Sequence, residues 1–81
     1  MPIAMRIIPT FSRAQQVVAD CRRRIASGQW KLGQQLPPER ELAERYGVAR
    51  TVVREAMCAL LTLGLIRTRQ GGGIYVQENI D

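Results

Sequence analysis

The stretch Glu39-Arg40-Glu41-Leu42-Ala43-Glu44-Arg45-Tyr46-Gly47-Val48-Ala49-Arg50-Thr51-Val52-Val53-Arg54-Glu55-Ala56-Met57 decides the fold. Pro37-Pro38 precedes it and pushes the chain out of the α region, with Pro38 in or just before the first turn of a helix. The helix that follows, Glu39 to Tyr46, turns Leu42 and Ala43 inward, sets Glu39 and Glu41 at the positive end of its dipole and ends at Gly47. Gly47-Val48 leaves room only for a tight turn. A new helical pattern then runs from near Ala49 to near Leu63. Two short helices joined by a glycine-containing turn form a helix-turn-helix.

Working outward toward the N-terminus, Ala14, Val17, Val18, Cys21 and Ile25 follow the spacing of one apolar helical stripe between Ser12 and Ser27. Ser12 is placed to cap that helix, and Gly28 to follow its end. Arg22, Arg23 and Arg24 fall in its last turn, where cations suit the dipole; a solvated turn fits them better than a phosphate clamp. Gly28 to Gly33 reads as a turn-like connection whose Trp30 and Leu32 pack beneath the domain, with an extended piece following through Leu36. Toward the C-terminus, Gly64 closes the third helix. Leu65 to Arg69 and Ile74 to Gln77 then read as strands around a Gln70-Gly71-Gly72-Gly73 turn, a β-hairpin. The predicted fold is mainly α with a small β-hairpin (α+β): a winged helix-turn-helix of three helices plus a two-stranded wing over residues 12–77. Residues 1–11 are expected to be a flexible arm, and 78–81 the start of a linker.

The chain has 81 residues, a formal net charge of +5 and no histidine. A domain of this size buries only about 60% of its unfolded surface, so a large internal cavity or a two-lobed catalytic cleft is excluded. Eleven of the twelve basic residues are arginine, Lys31 being the exception. The planar arginine fork suits phosphate oxygens and base edges. Catalysis has little to work with: no histidine, serines only at Ser12 and Ser27, and the carboxylates Glu39 and Glu41 of the second helix placed as dipole partners. Gly71-Gly72-Gly73 joins two strands and does not open a helix, unlike a phosphate-binding loop. Cys21 and Cys58 lack metal-ligand or redox spacing and read as free thiols, Cys21 in the core and Cys58 exposed. No run approaches the roughly 20 apolar residues that span a bilayer. The apolar N-terminal stretch is too short and too interrupted for a signal peptide, so the expected compartment is the cytoplasm.

On a helical wheel at about 100° per residue with Arg50 at zero, Ala49, Val52, Val53, Ala56, Leu60 and Leu63 fall on one flank and Arg50, Thr51 and Arg54 on another. This is what a recognition helix needs: its first turns enter the major groove while the other flank packs on the domain. The alternative is an ordinary charged face, with Arg50 or Arg54 paired to Glu55 or Glu44. That alternative weakens beside the hairpin, where Arg67 and Arg69 share one strand face, Gln70 follows, and the glycines permit close approach to another surface.

These residues resemble a known family. Leu36-Pro37-Pro38-Glu39-Arg40-Glu41-Leu42-Ala43-Glu44, Tyr46-Gly47-Val48, Arg50-Thr51-Val52-Val53-Arg54-Glu55-Ala56-Met57, Leu60, Gly64-Leu65-Ile66 and Arg69-Gln70-Gly71-Gly72-Gly73-Ile74-Tyr75-Val76 look like the DNA-binding domain of GntR-family bacterial transcriptional regulators. The likeness covers the chain from the first helix to Val76, and it is nearer the fatty-acid-regulator (FadR-like) branch than the HutC-like branch. It implies DNA contact from Arg40, Arg50, Thr51 and Arg54, with Arg50 the chief base reader, and from Gln70 and Gly71 at the wing tip. Arg69 and Gly72 complete the candidate set. It further implies a double-stranded, pseudo-palindromic operator, a repressor that is a homodimer at full length, and a small-molecule effector bound by a C-terminal domain outside this chain. No cofactor is implied in this domain. Pro38 and Ala49 stand where the family commonly has Ser or Thr, removing two capping hydroxyls, and Val52 stands where a hydroxyl is common. Two other classes stay open on the residues alone: a winged-helix protein-interaction module meeting an acidic partner, and an architectural DNA binder without sequence preference.

Overall fold

The computed structural model describes residues 12–78. The arm over 1–11 and linker residues 79–81 lie outside the described residues. The element order is α1 (Arg13–Ala26), α2 (Glu39–Tyr46), α3 (Arg50–Thr62), β1 (Ile66–Thr68) and β2 (Ile74–Val76). It is the winged helix-turn-helix predicted from the sequence.

α1 begins with a reciprocal cap. The Ser12 hydroxyl accepts from the Gln15 backbone N–H at 3.1 Å while the Gln15 side chain accepts from the Ser12 N–H at 2.8 Å, satisfying two donors that a helix start leaves free. Ala14, Val17 and Cys21 of its stripe are buried, and Val18 and Ile25 pack partly buried against the core. After α1 the Trp30 N–H donates to the Arg24 carbonyl at 3.0 Å and the indole is buried, with the Arg24 guanidinium 5.8 Å from its centroid. Leu32 departs from the sequence reading: it is 57% exposed. The chain turns tightly there, Gln34 N–H to the Lys31 carbonyl at 2.9 Å, and Leu32 occupies the outer corner. The extended piece beyond it runs along β2. Gly33 N–H donates to the Val76 carbonyl at 3.0 Å, Val76 N–H to the Gln34 carbonyl at 2.8 Å, and Leu36 N–H to the Ile74 carbonyl at 2.8 Å.

α2 and α3 both start without a side-chain cap, at Pro38 and Ala49. Between them Gly47 takes φ 66° and ψ 37°, the left-handed region that side chains with a Cβ avoid. This lets the Val48 N–H reach the Ala43 carbonyl at 3.0 Å and redirects the chain within two residues. The buried side of α3 consists of Val53, Ala56, Met57 and Leu60. That arc lies about 40° nearer Arg50 than the wheel of apolar residues predicts. Met57 is in the core, Val52 is only half-buried, and Ala49 and Leu63 are exposed. α3 ends at Thr62, so Leu63 sits in the turn and not on the packed helix face.

The strands are shorter than the apolar runs that encode them. They pair antiparallel with Ile66 opposite Val76, Arg67 opposite Tyr75 and Thr68 opposite Ile74. Ile66 and Val76 point into the core, so the base of the hairpin is fixed to the end of α3. Cys21, Leu42, Val53, Leu60, Ile66 and Val76 are the largest fully buried side chains, one or more from every element. Each of the leucine, isoleucine and valine side chains among them contributes about 1.5–3 kcal/mol on leaving water.

A polar contact orients α1 against α2. The Tyr46 hydroxyl donates to Asp20 Oδ2 at 2.5 Å, Arg24 Nε reaches the same oxygen at 2.7 Å, and Arg23 pairs with the other. Burial works to raise the Asp20 pKa, but the hydrogen bonds from Tyr46 and Arg24 and the charges of Arg24 and Arg23 prevail and hold it below its ordinary value. Burial together with the Asp20 carboxylate pushes the Tyr46 phenol up, and burial raises the Cys21 thiol.

Candidate nucleic-acid interface

With Val53, Ala56, Met57 and Leu60 held in the core, the opposite flank of α3 faces outward. There Arg50 and Arg54 have side chains 59% and 61% exposed, and Thr51 beside them is exposed. All three belong to the first two turns of the helix. Cys58 continues the same flank and is an exposed free thiol.

The arginines are not paired with Glu55 or Glu44. Their carboxylate is Glu39, the first residue of α2: its Oε1 lies 3.4 Å from Arg54 Nη2 and 4.0 Å from Arg50 Nη2. This contact joins the start of α2 to the first turns of α3. It also brings Arg40, exposed beside Glu39, to the same end of the helix pair. Glu39 reads in the sequence as a partner of the helix dipole. Only the crossing of the two helices, which no helix period contains, reveals its second contact.

The wing residues form a separate group at the hairpin tip, carried by β1 from the end of α3. A turn closes there, Gly72 N–H to the Arg69 carbonyl at 2.9 Å, leaving Gln70, Gly71 and Gly72 exposed with open space around the two glycine α-carbons. Gly73 is different: a Cβ there would meet Gln35 Nε2 and Tyr75 Cε1 at 2.9 Å each. The Arg69 guanidinium lies 4.2 Å from the centroid of the Tyr75 ring, a cation–π contact that fixes its direction. Arg67, which shares that strand face, is tied to Glu78 at 3.1 Å and is the less available of the two. Tyr75 is not among the candidates read from the sequence; its ring meets Arg69 across the turn, which no strand period shows.

Among the described residues no group of His, Cys, Asp and Glu side chains is placed to hold a metal ion, and no helix is long and apolar enough to cross a membrane. The site is a surface of donors: the arginines Arg40, Arg50, Arg54 and Arg69, a threonine and a glutamine, with backbone amides at the glycine tip. Such a surface can meet anionic oxygens and hydrogen-bond acceptors.

Residues 13–76 match the family described as bacterial regulatory proteins, gntR family. The chain belongs to the GntR family. It is 49% identical over 65 residues to the Uxu operon transcriptional regulator of Escherichia coli (strain K12), covering 80% of this chain and 25% of that protein. The Exu regulon transcriptional regulator of the same strain is 45% identical over 65 residues, with the same coverage. This GntR-family chain thus spans about a quarter of the length of those relatives. Among solved structures, the AraR DNA-binding domain in complex with operator ORR3 superposes with a TM-score of 0.78 at 33% identity, covering 83% of this chain and 81% of that one. A transcriptional regulator from Oenococcus oeni gives 0.87 at 27% identity, covering 95% and 64%.

Proposed function

We propose that this chain is the DNA-reading domain of a GntR-family transcriptional repressor, with α3 in the major groove and the wing on the adjacent minor groove or backbone. The observation that carries this reading is the two-sided character of α3: one flank locked in the core, the other presenting Arg50, Thr51 and Arg54 together. Arginine forks at the start of a helix are suited to the guanine edge. Arg40, at the start of α2, and Arg54 meet a mixture of base edges and backbone phosphate, and Arg69, Gln70, Gly71 and Gly72 at the wing tip meet the minor groove or backbone. A structural neighbour bound to operator DNA and relatives named as transcriptional regulators support the same reading. The regulator acts as a homodimer on a pseudo-palindromic operator and answers a small-molecule effector through a further C-terminal domain. The triple glycine and the Val53-Arg54-Glu55-Ala56 run favour the FadR-like branch.

The test is to select bound duplexes from a random pool, then titrate the selected duplex and a scrambled one of equal composition over a range of salt. Enrichment of a motif is expected, with affinity falling steeply at a log-log slope of about −0.9 per phosphate neutralised. Salt-dependent binding without enrichment would indicate an architectural protein, and absence of duplex binding would return the fold to the class of protein-interaction modules.

A further inference from the structure

Glu39 stands between the two arginines of α3, yet its side chain is only 25% exposed against their 59% and 61%. The carboxylate therefore sits behind the guanidinium groups and leaves the outer surface to them. Arg54 Nη2 donates to its Oε1 at 3.4 Å, and Arg50 Nη2 lies 4.0 Å from the same oxygen, an ion pair without a hydrogen bond. Two effects follow. Sharing one carboxylate narrows the rotamers open to both side chains. It also sets one negative charge against two positive ones at the point where phosphates would be met.

These effects act unequally on the two kinds of DNA contact. A phosphate is a compact anion that a long flexible arginine can reach in many conformations, so fixing the fork gains little and cancelling charge loses much. A base edge demands two parallel hydrogen bonds in one direction, so a pre-set fork gains most there. We propose that Glu39 is a specificity-determining positioning residue, whose carboxylate aims Arg50 and Arg54 at base edges and suppresses their sequence-independent attraction to phosphate. This rests on the reading of α3 as the recognition helix.

The test uses the whole chain, the duplex selected by the wild-type protein and its scrambled counterpart. Glu39→Gln is expected to bind the scrambled duplex more tightly, with a salt slope steeper by up to about 0.9 for one further phosphate. The ratio of selected to scrambled affinity is expected to fall roughly fivefold to tenfold, the scale of one base contact no longer well held. Glu39→Asp keeps the charge and is expected to keep the wild-type slope. A purely structural role predicts equal loss on both duplexes with the slope unchanged, and that result, with a native urea midpoint, would overturn the proposal. An unchanged ratio in Glu39→Gln would overturn it as well while leaving α3 as the recognition helix. Failure of the wild type to enrich any motif would instead strike the reading on which it rests.

Discussion

At Arg50 and Arg69 the same side chain is set to two different tasks by its surroundings. Arg50 projects from the first turn of a helix and shares Glu39 with Arg54, an arrangement that constrains direction. Arg69 leaves the end of a strand and lies on the Tyr75 ring, which holds it beside the glycine tip without offering it a base-sized partner. Arg50→Ala is therefore expected to cost about 1–3 kcal/mol and to relax preference at one operator position, read by competition among duplexes substituted base by base. Arg69→Ala should weaken all duplexes alike and make the salt slope shallower by about 1, read in the same titrations. If Arg69→Ala leaves the salt slope untouched, the wing is not in the interface. The outward place of Arg50, Thr51 and Arg54 was legible because helical periodicity fixes which flank an apolar residue takes. Glu39 and Tyr75 were not, because each acts on a residue of another element or across a turn, and one helix or strand period carries no information about such crossings.

Among the elements, α1 and α3 begin alike in charge, each with an arginine first and no acidic residue in its first turn, but differ in capping. α1 has Ser12 and Gln15 in a reciprocal cap, whereas α3 starts at Ala49 with no side-chain cap. The recognition helix is thus the less well terminated of the two, and its first amides are left to solvent or to an incoming anion. Ala49 already has the extended backbone of a capping residue, φ −71° and ψ 155°, so a hydroxyl can be added without rearrangement. Ala49→Ser is expected to stabilise the domain by roughly 0.5–2 kcal/mol, measured as a raised urea midpoint at unchanged m-value. A midpoint at or below the wild-type value would mean that the start of α3 is already satisfied. Helix existence and order were readable from Ser12, Pro38, Gly47 and Gly64, which act through local backbone preferences. The strand ends, the outward turn of Leu32 and the rotation of the buried arc toward Met57 depend on what lies opposite, and a local pattern does not hold that information.

For the whole molecule, α1 is held on the helix-turn-helix by the apolar core and by one polar contact that titrates at both ends of the pH range. The Asp20 carboxyl is held below its ordinary value of 3.8 by Tyr46 and Arg24 despite burial, and the Tyr46 phenol is raised above its ordinary value of 10.0 by burial and by Asp20. A carboxyl depressed in the folded state adds stability above its unfolded pKa, and that stability is lost as the pH falls through the folded value. A phenol raised in the folded state adds stability below its unfolded pKa, lost as the pH rises past about 10 toward the folded value. Cys21, raised by burial, bends the same alkaline limb from about its ordinary value of 9.0 upward. Urea midpoints across the pH range should therefore form a plateau that declines at both edges. Tyr46→Phe removes the hydroxyl that Asp20 accepts from and is expected to lower the plateau by about 1 kcal/mol, a partly exposed contact being worth less than a fully buried charged one. The variant should also decline less steeply in acid, because the Asp20 carboxyl moves back toward its ordinary value, and in alkali it should retain only the part due to Cys21. Since Tyr46 lies away from the exposed flank of α3, the ratio of selected to scrambled duplex affinity should stay at the wild-type value while stability changes. A pH profile parallel to that of the wild type would show that the Asp20–Tyr46 bond does not couple protonation to folding. A changed affinity ratio would show that the angle between α1 and the helix-turn-helix sets how the arginines meet the duplex.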